Sequence, residues 1–232
     1  MNHEDAKPDT VYEQYYGQNK FHYDYSSYKS FIREWLWVRL NLVRRFNIRR
    51  GSRVLEIACG QGFHVNLLGT MGMKVIGSDI SQAAIKFATQ RYPNREFLQA
   101  DGTGNLPYPA ESFDVVWSRG AAFFHYDVTD EKSFEIVRQH LRYVKPGGLY
   151  VLVIATDLSG RKPADWEHTW MNTLADYETL LRRFDMPYTI DWEPDRKSLP
   201  VIGRPLKNGL AIGSLRKPLL PGNSNRVAPN AA

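Results

Sequence analysis

Short apolar runs alternate with amphipathic helical patterns along the middle of the chain. Five runs are predicted to be strands, at residues 53–58, 74–79, 96–100, 113–118 and 149–155. Apolar residues at helical spacing predict helices at 30–46, 62–71, 81–91 and 130–144, and a Lys-Pro-Gly-Gly breaker follows at 145–148. Strands that alternate with helices predict βαβ units and a parallel sheet, since a crossover helix joins parallel neighbours.

The C-terminal part of the chain departs from this alternation. A further helix is marked by Leu174, Tyr177, Leu181 and Phe184, and residues 188–193 and 209–215 are candidate strands. About fifteen residues separate these two strands, too few for another strand-helix unit, so an antiparallel hairpin is predicted. The expected α/β fold is a doubly wound seven-stranded sheet, mostly parallel with a C-terminal antiparallel hairpin.

The amino-acid composition limits the kinds of protein and of binding site that the chain can form. Of the 232 residues 43% are hydrophobic, enough for a buried core, yet no apolar stretch reaches the ~18 residues of a membrane span. The polar start lacks the apolar region of a signal peptide, so a cytoplasmic location is expected. The single cysteine, Cys59, and six histidines without paired spacing predict no metal site. A net charge of +5 is spread thinly, so no nucleic-acid partner is expected.

Polar and glycine residues follow four of the predicted strands. They are Glu56 with Gly60 and Gly62, then Asp79, then Asp101 with Gly102, and finally Ser118 with Arg119. In a doubly wound sheet, ligands bind beyond the carboxyl ends of the strands. Glycine lets the loop at 60–62 turn sharply and approach a ligand. A carboxylate at 79 can accept both hydroxyl protons of a ribose, and one at 101 can bond a purine amino group. Singly, each could be a turn residue; jointly they predict a nucleotide-like ligand.

Several of these segments together resemble the class I S-adenosylmethionine-dependent methyltransferases. The matching segments are 54–62 (VLEIACGQG), 75–81 (VIGSDIS), 101–102 (DG), 106–108 (LPY), 112–116 (SFDVV) and 141–148 (LRYVKPGG). The resemblance covers about residues 50–156 and is strongest to the branch that acts on small molecules and on lipid-like or quinone substrates. It implies a Rossmann-like fold with an N-terminal lid and helix at 1–48, a methyltransferase domain at 49–217 and a flexible tail at 218–232.

The resemblance also implies S-adenosyl-L-methionine as the cofactor and roles for individual residues. Glu56, Ala58, Gly60 and Gly62 would line its methionine half, and Asp79 would bind the ribose. Ile80 would pack on the adenine, Asp101 and Gly102 would contact the adenine edge, and Ser118 would complete the site. The tyrosine-rich start, with Tyr15, Tyr16, His22 and Tyr23, resembles the family's N-terminal lid or packs on the helix at 30–46. Cys59 is interpreted as a packing residue rather than a nucleophile, and His64 as a surface or packing residue.

We expect the methyl acceptor to be bound by residues beyond the fourth and fifth predicted strands. His125 is the candidate general base, because a histidine suits proton transfer at neutral pH, and Tyr126 is the weaker alternative. Arg119 could bind an anionic acceptor or tie down a loop carboxylate. Trp166 and Trp170 could line an apolar or aromatic acceptor site or only pack a helix. The predicted reaction is methyl transfer to an oxygen, or second to a nitrogen, of a small molecule.

Three alternative functions fit parts of the pattern. A nicotinamide-dependent oxidoreductase would also use Asp79, but Val65 stands where its fingerprint needs a third glycine. A non-catalytic cofactor-binding partner subunit is disfavoured because the cofactor motifs are intact. An RNA methyltransferase would need a basic groove with exposed aromatic residues or an added RNA-binding domain, and the sequence shows neither.

Overall fold

The structure is a computed structural model and describes residues 13–14, 16–17, 28–158, 172–194 and 208–219. Its strands are β1 (Arg53–Ile57), β2 (Lys74–Asp79), β3 (Glu96–Gln99), β4 (Phe113–Arg119), β5 (Val144–Asp157), β6 (Tyr188–Pro194) and β7 (Asn208–Arg216). They form one seven-stranded sheet in the order β3-β2-β1-β4-β5-β7-β6. This order, with an antiparallel pair at the C-terminus, confirms the predicted α/β sheet.

The helices are α1 (Tyr28–Val38), which continues into a π-helix (Arg39–Arg44), then α2 (Phe63–Thr70), α3 (Gln82–Arg91), a 3-10 turn (Ala122–Phe124), α4 (Glu131–Tyr143) and α5 (Leu174–Arg182). Three of them begin at a side chain that accepts a backbone N–H bond: Ser81 for α3, Asp130 for α4 and Thr173 for α5. Such caps satisfy amides that the first helical turn leaves without a partner. None of the helices in these described ranges is long and apolar enough to cross a bilayer.

The chain divides into two compact units. The first holds the described residues up to Pro107 together with Trp117–Ala122, and the second holds Tyr108–Val116 and the described residues from Phe123 onward. In the first unit β1, β2 and β3 are parallel neighbours, with Arg53 opposite Lys74 and Ile76 opposite Glu96. In the second unit β7 pairs antiparallel with both β5 and β6.

Two element boundaries differ from the prediction. The helix predicted over 30–46 changes at Arg39 into wider π turns, in which the amides of Arg45 and Ile48 bond carbonyls five residues earlier. Leu42 and Val43 are both buried in this π-helical segment. Strand β5 begins at Val144, although the breaker at 145–148 predicted a start at 149. The reason is pairing at a distance, because backbone bonds join Gly147 and Gly148 to Lys217.

A glycine on β2 allows helix α2 to approach the sheet closely. A Cβ atom at Gly77 would lie 2.6 Å from Cγ2 of Val65 and 2.8 Å from Sγ of Cys59, and both of these side chains are buried. In the dinucleotide fingerprint the third glycine, on the helix, provides this close packing. Here the helix carries Val65 and the facing strand carries the glycine, so the close approach has a different origin.

Replacing Gly77 with alanine should therefore destabilise the first unit. Because the added methyl group meets two buried side chains, we expect Gly77→Ala to lower the free energy of unfolding by about 1–3 kcal/mol, measured by urea denaturation. Gly104→Ala is the matched control, since a Cβ there makes only an ordinary contact of 3.5 Å and should change stability by less than about 0.5 kcal/mol. Equal stability of the two variants would contradict this packing argument.

Candidate functional site

The loop after β1 is tied to the end of β2 by one carboxylate. Oδ2 of Asp79 accepts a hydrogen bond of 2.8 Å from the amide of Gly60, and Oδ1 accepts one of 3.0 Å from the amide of Ser81. Gly60 and Gly62 have φ angles of +52° and +76°, a backbone conformation that glycine adopts without steric cost. Two predicted ligand-binding loops are thus fixed to each other through the side chain of Asp79.

Ala58 adopts the same left-handed conformation, with φ of +59°, at the point where β1 leaves the sheet. A non-glycine residue is rarely found there, and such strain is concentrated in functional loops. The turn therefore begins two residues before the first glycine of the predicted motif.

The N-terminal segment contacts these same loops. A Cβ atom at Gly60 would lie 2.8 Å from the hydroxyl oxygen of Tyr16, so the tyrosine lies directly on the glycine loop. The carboxylate of Glu13 accepts hydrogen bonds from the hydroxyl of Ser81 at 2.8 Å and from the amide of Ala83 at 3.1 Å. The predicted lid residue Tyr15 lies outside the described residues, and its neighbour Tyr16 makes the contact seen here.

Glu56 is buried at the end of β1 without a full set of partners. Its side chain is 1% exposed, and Oε2 accepts no hydrogen bond from any residue that the structure describes. Burial, and then repulsion from Asp79, raise the pKa of Glu56 well above its ordinary value. Burial also raises the pKa of Asp79, although its bonds from Ser81 and Gly60 oppose that shift. Glu56 is consequently a buried acid whose neutral form is favoured, and one of its oxygens lacks a donor among the described residues.

A buried polar cluster lies beside Glu56. Nε2 of His64 is 3.1 Å from Oε1 of Glu34, and Nδ1 of His64 is 3.7 Å from Oε1 of Glu56. Oε1 of Glu34 also accepts a hydrogen bond from Nη1 of Arg119. The Arg119 guanidinium lies 4.3 Å from the centre of the Trp37 ring. Burial lowers the pKa of His64 to about 3, so its imidazole is neutral.

This cluster alters two interpretations made from the sequence. His64, predicted to be a surface or packing residue, packs edge-on against Phe63 and Trp117 and is in addition a mostly buried member of a hydrogen-bond network. Arg119 pairs with a carboxylate, but with that of Glu34 on helix α1 rather than with one in a loop as predicted. The sequence held one signal for Glu34, since it is an acidic residue on the apolar stripe of Phe31 and Val38.

The loop that carries His125 is held by Asn172 in the second unit. The Asn172 amide donates to the carbonyl groups of Phe124 (3.3 Å) and Tyr126 (2.7 Å) and accepts from the amide of Val128 at 3.2 Å. Its own backbone carbonyl accepts bonds of 2.9 Å from the Thr156 hydroxyl and 3.0 Å from the Asp157 amide. Sequence reasoning missed Asn172, because no local pattern relates it to a loop more than forty residues earlier.

The two candidate acid-base residues of this loop differ in their surroundings. Burial lowers the pKa of His125 below its ordinary value, so the neutral form that can accept a proton is favoured. Tyr126 is 61% exposed, and the ammonium group of Lys132 lies 5.5 Å from the centre of its ring. His125 is half-buried, and its role as the base stays a prediction.

Comparison with known proteins supplies the family. Residues 54–148 match the model of a methyltransferase domain. The chain is 36% identical over 123 residues to a ubiquinone/menaquinone biosynthesis C-methyltransferase of Ectopseudomonas oleovorans. The aligned region covers 49% of this chain and 68% of that protein. The chain belongs to the class I S-adenosylmethionine-dependent methyltransferases.

Further similarities to this methyltransferase agree with the fold. The 27-O-demethylrifamycin SV methyltransferase of Amycolatopsis mediterranei is 30% identical to this chain over 148 residues. That alignment covers 60% of this chain and 52% of the relative. Several curated relatives are thus matched over only about half of their length. A solved structure from Pyrococcus horikoshii OT3 superposes with a TM-score of 0.65 at 19% identity, covering 88% of this chain and 98% of that one.

The other predicted site residues of the methyltransferase differ in how far they are exposed to solvent. Asp101 is exposed, and its Oδ1 accepts bonds of 2.8 Å from the amide and hydroxyl of Thr103, as in a local turn. Gly102 and Ile80 are partly exposed, and Ser118 is buried at the end of β4. Trp166 and Trp170, predicted to line the acceptor site, lie outside the described residues. The cofactor-binding roles of these residues stay predictions.

The Glu34–Arg119 pair should contribute to stability chiefly through the penalty for breaking it. Arg119→Met would leave the Glu34 carboxylate buried without its cation, and we expect a loss of about 3–5 kcal/mol in the free energy of unfolding. The double variant Glu34→Leu/Arg119→Met, which removes both charges, should recover most of that loss. Urea denaturation of the two single variants and the double variant measures this coupling, and additive losses would contradict a buried pair.

Proposed function

We propose that the protein transfers the methyl group of S-adenosylmethionine to a small-molecule acceptor. The observation that carries the proposal is the joined pair of loops around Asp79 and Gly60, with the partnerless oxygen of Glu56 beside them. S-adenosylmethionine is the cofactor of the family, and its ammonium and sulfonium groups are cationic. A buried carboxyl group with an available oxygen suits such a ligand, and a carboxylate at 79 suits the ribose hydroxyl groups.

The chemistry requires positioning more than activation. The bound cofactor supplies a methyl group that is already reactive as part of a sulfonium. The chain must hold an acceptor atom in line with that group, exclude water and, for a hydroxyl acceptor, remove a proton. In this proposal the contacts of Tyr16 with the glycine loop help to exclude water, and His125 accepts the proton.

An oxygen acceptor remains the first choice, with nitrogen second. The name of the rifamycin relative specifies transfer to an oxygen, and that of the quinone relative specifies transfer to carbon. The neutral His125 favours an acceptor that must lose a proton, which agrees with a hydroxyl group. A cytoplasmic location, the lid at 1–48 and the tail at 218–232 remain parts of this proposal.

Calorimetric titration with S-adenosylmethionine, S-adenosylhomocysteine and NADH tests the cofactor assignment. We expect micromolar binding of the first two ligands and none of NADH. Asp79→Asn should weaken the binding of S-adenosylmethionine and S-adenosylhomocysteine on the order of 10- to 100-fold. The reason is that a neutral amide replaces the carboxylate proposed to accept hydrogen bonds from the ribose hydroxyl groups. Asp114→Asn is the control, since Asp114 pairs with Lys145 on the surface and should leave the affinity unchanged. Binding of NADH alone would support the oxidoreductase instead.

Turnover with hydroxyl-bearing acceptors tests the role of His125. His125→Ala should lower kcat on the order of 100-fold or more, while the affinity for S-adenosylhomocysteine stays within about 2-fold. Since the pKa of His125 is lowered, the base form persists in mild acid, and the acid limb of kcat should fall below pH 6.5. Tyr126→Phe should change kcat little. Unaltered turnover of His125→Ala would remove His125 as the base, and cofactor binding without any turnover would favour a non-catalytic subunit.

A further inference from the structure

The imidazole of His64 lies between two buried carboxyl groups from different elements. Nε2 is 3.1 Å from Oε1 of Glu34 on α1, and Nδ1 is 3.7 Å from Oε1 of Glu56 on β1. The second distance is slightly beyond hydrogen-bond length, so a small movement of either side chain would complete that contact. The other oxygen of Glu56 is buried and has no partner among the described residues.

A neutral imidazole cannot donate to both carboxyl groups, because it carries only one N–H. When the proton is on Nε2, His64 donates to Glu34 and presents the lone pair of Nδ1 to Glu56. That lone pair requires a protonated Glu56. When the proton is on Nδ1, His64 donates to an ionised Glu56, and Nε2 can accept from Nη1 of Arg119, 3.3 Å away. Each tautomer therefore matches one ionisation state of Glu56.

The charged groups around the pair favour the neutral resting state. Asp79 on β2 and Cys59 in the glycine loop interact electrostatically with Glu56, while Glu34 and Arg119 face His64. Burial and the nearby Asp79 raise the pKa of Glu56, and burial lowers the pKa of His64 to about 3. Without a ligand, the expected state is a protonated Glu56 with the Nε2–H tautomer of His64.

We propose that His64 is a positioning residue that couples the ionisation of Glu56 to binding of a cationic ligand group at the partnerless oxygen. The inference rests on the proposed function, which supplies that cation as the ammonium or sulfonium of the cofactor. As the cation binds, the proton of Glu56 passes to Nδ1, and the proton on Nε2 passes through Oε1 of Glu34 to water. Water can reach the network because the side chains of His64 and Arg119 remain 13% and 16% exposed.

The net change is loss of one proton from the protein and a switch of the His64 tautomer. Glu34 is unchanged at the end of the sequence of transfers, and Arg119 gains Nε2 as an acceptor. The cation then meets an ionised Glu56 whose second oxygen is fixed by the N–H of His64. Since the cation gains a full negative charge only in this state, His64 strengthens binding without touching the ligand.

Nitrogen-15 NMR of the imidazole rings tests the tautomer switch. The His64 signals are identified by their loss in His64→Phe, and S-adenosylhomocysteine serves as the ligand because it retains the ammonium group. We expect the wild-type signals to change from the Nε2–H to the Nδ1–H pattern on binding. In Glu56→Gln the side-chain amide can donate to Nδ1 permanently, so the Nε2–H pattern should persist with ligand present. An unchanged wild-type tautomer in the ligand-bound protein would overturn the proposal.

Calorimetry in two buffers of different ionisation enthalpy provides an independent readout. Near pH 7 the wild type should release about one proton for each S-adenosylhomocysteine bound, and Glu56→Gln should release none. Asp114→Asn is the control, since Asp114 pairs with Lys145 on the surface and this variant should release the proton as the wild type does. Binding with neither proton release nor a tautomer switch would overturn this inference alone, whereas absence of any binding would overturn the proposed function on which it rests.

Discussion

The carboxylate of Asp79 is the constraint on which the cofactor side of the structure depends. It accepts one backbone amide from the glycine loop and one from the start of α3, so the ends of two parallel strands are joined by a single side chain. Burying a carboxylate is costly unless it is hydrogen-bonded, and these two donors offset part of that cost. The bond from its amide also fixes Gly60, which has the left-handed conformation.

Glu56 contrasts with Asp79 although both acids are buried and close enough to repel each other. Asp79 has amide donors that favour its ionised form, whereas Glu56 has an oxygen without a donor and faces a neutral His64. When two acids interact, the one with more donors ionises first and raises the pKa of the other. Burial is the main cause of the raised pKa of both acids; the amide donors of Asp79 oppose that shift, whereas repulsion from Asp79 adds to it at Glu56.

Local patterns were sufficient to predict that the seven strands exist and that Ser81 caps a helix, because each depends on residues within a few positions. The features that were missed depend on partners distant in sequence. Glu34 meets Arg119 across 85 positions, and the start of β5 is fixed by Lys217 about seventy positions later. Only the tertiary fold brings such groups together, so periodicity and propensity carry little information about them.

The cofactor half and the acceptor half of the predicted site differ in how much the family motif says about them. The methyltransferase match ends at residue 148, and two relatives that share it are named for different acceptor atoms, oxygen and carbon. Acceptor choice must then depend on features that vary around a common cofactor site. In the proposed function the loop of His125 serves the acceptor, and Asn172, beyond the matched segment, fixes the backbone of this loop at three points. A residue outside the family motif therefore sets the geometry of the base proposed to act inside it.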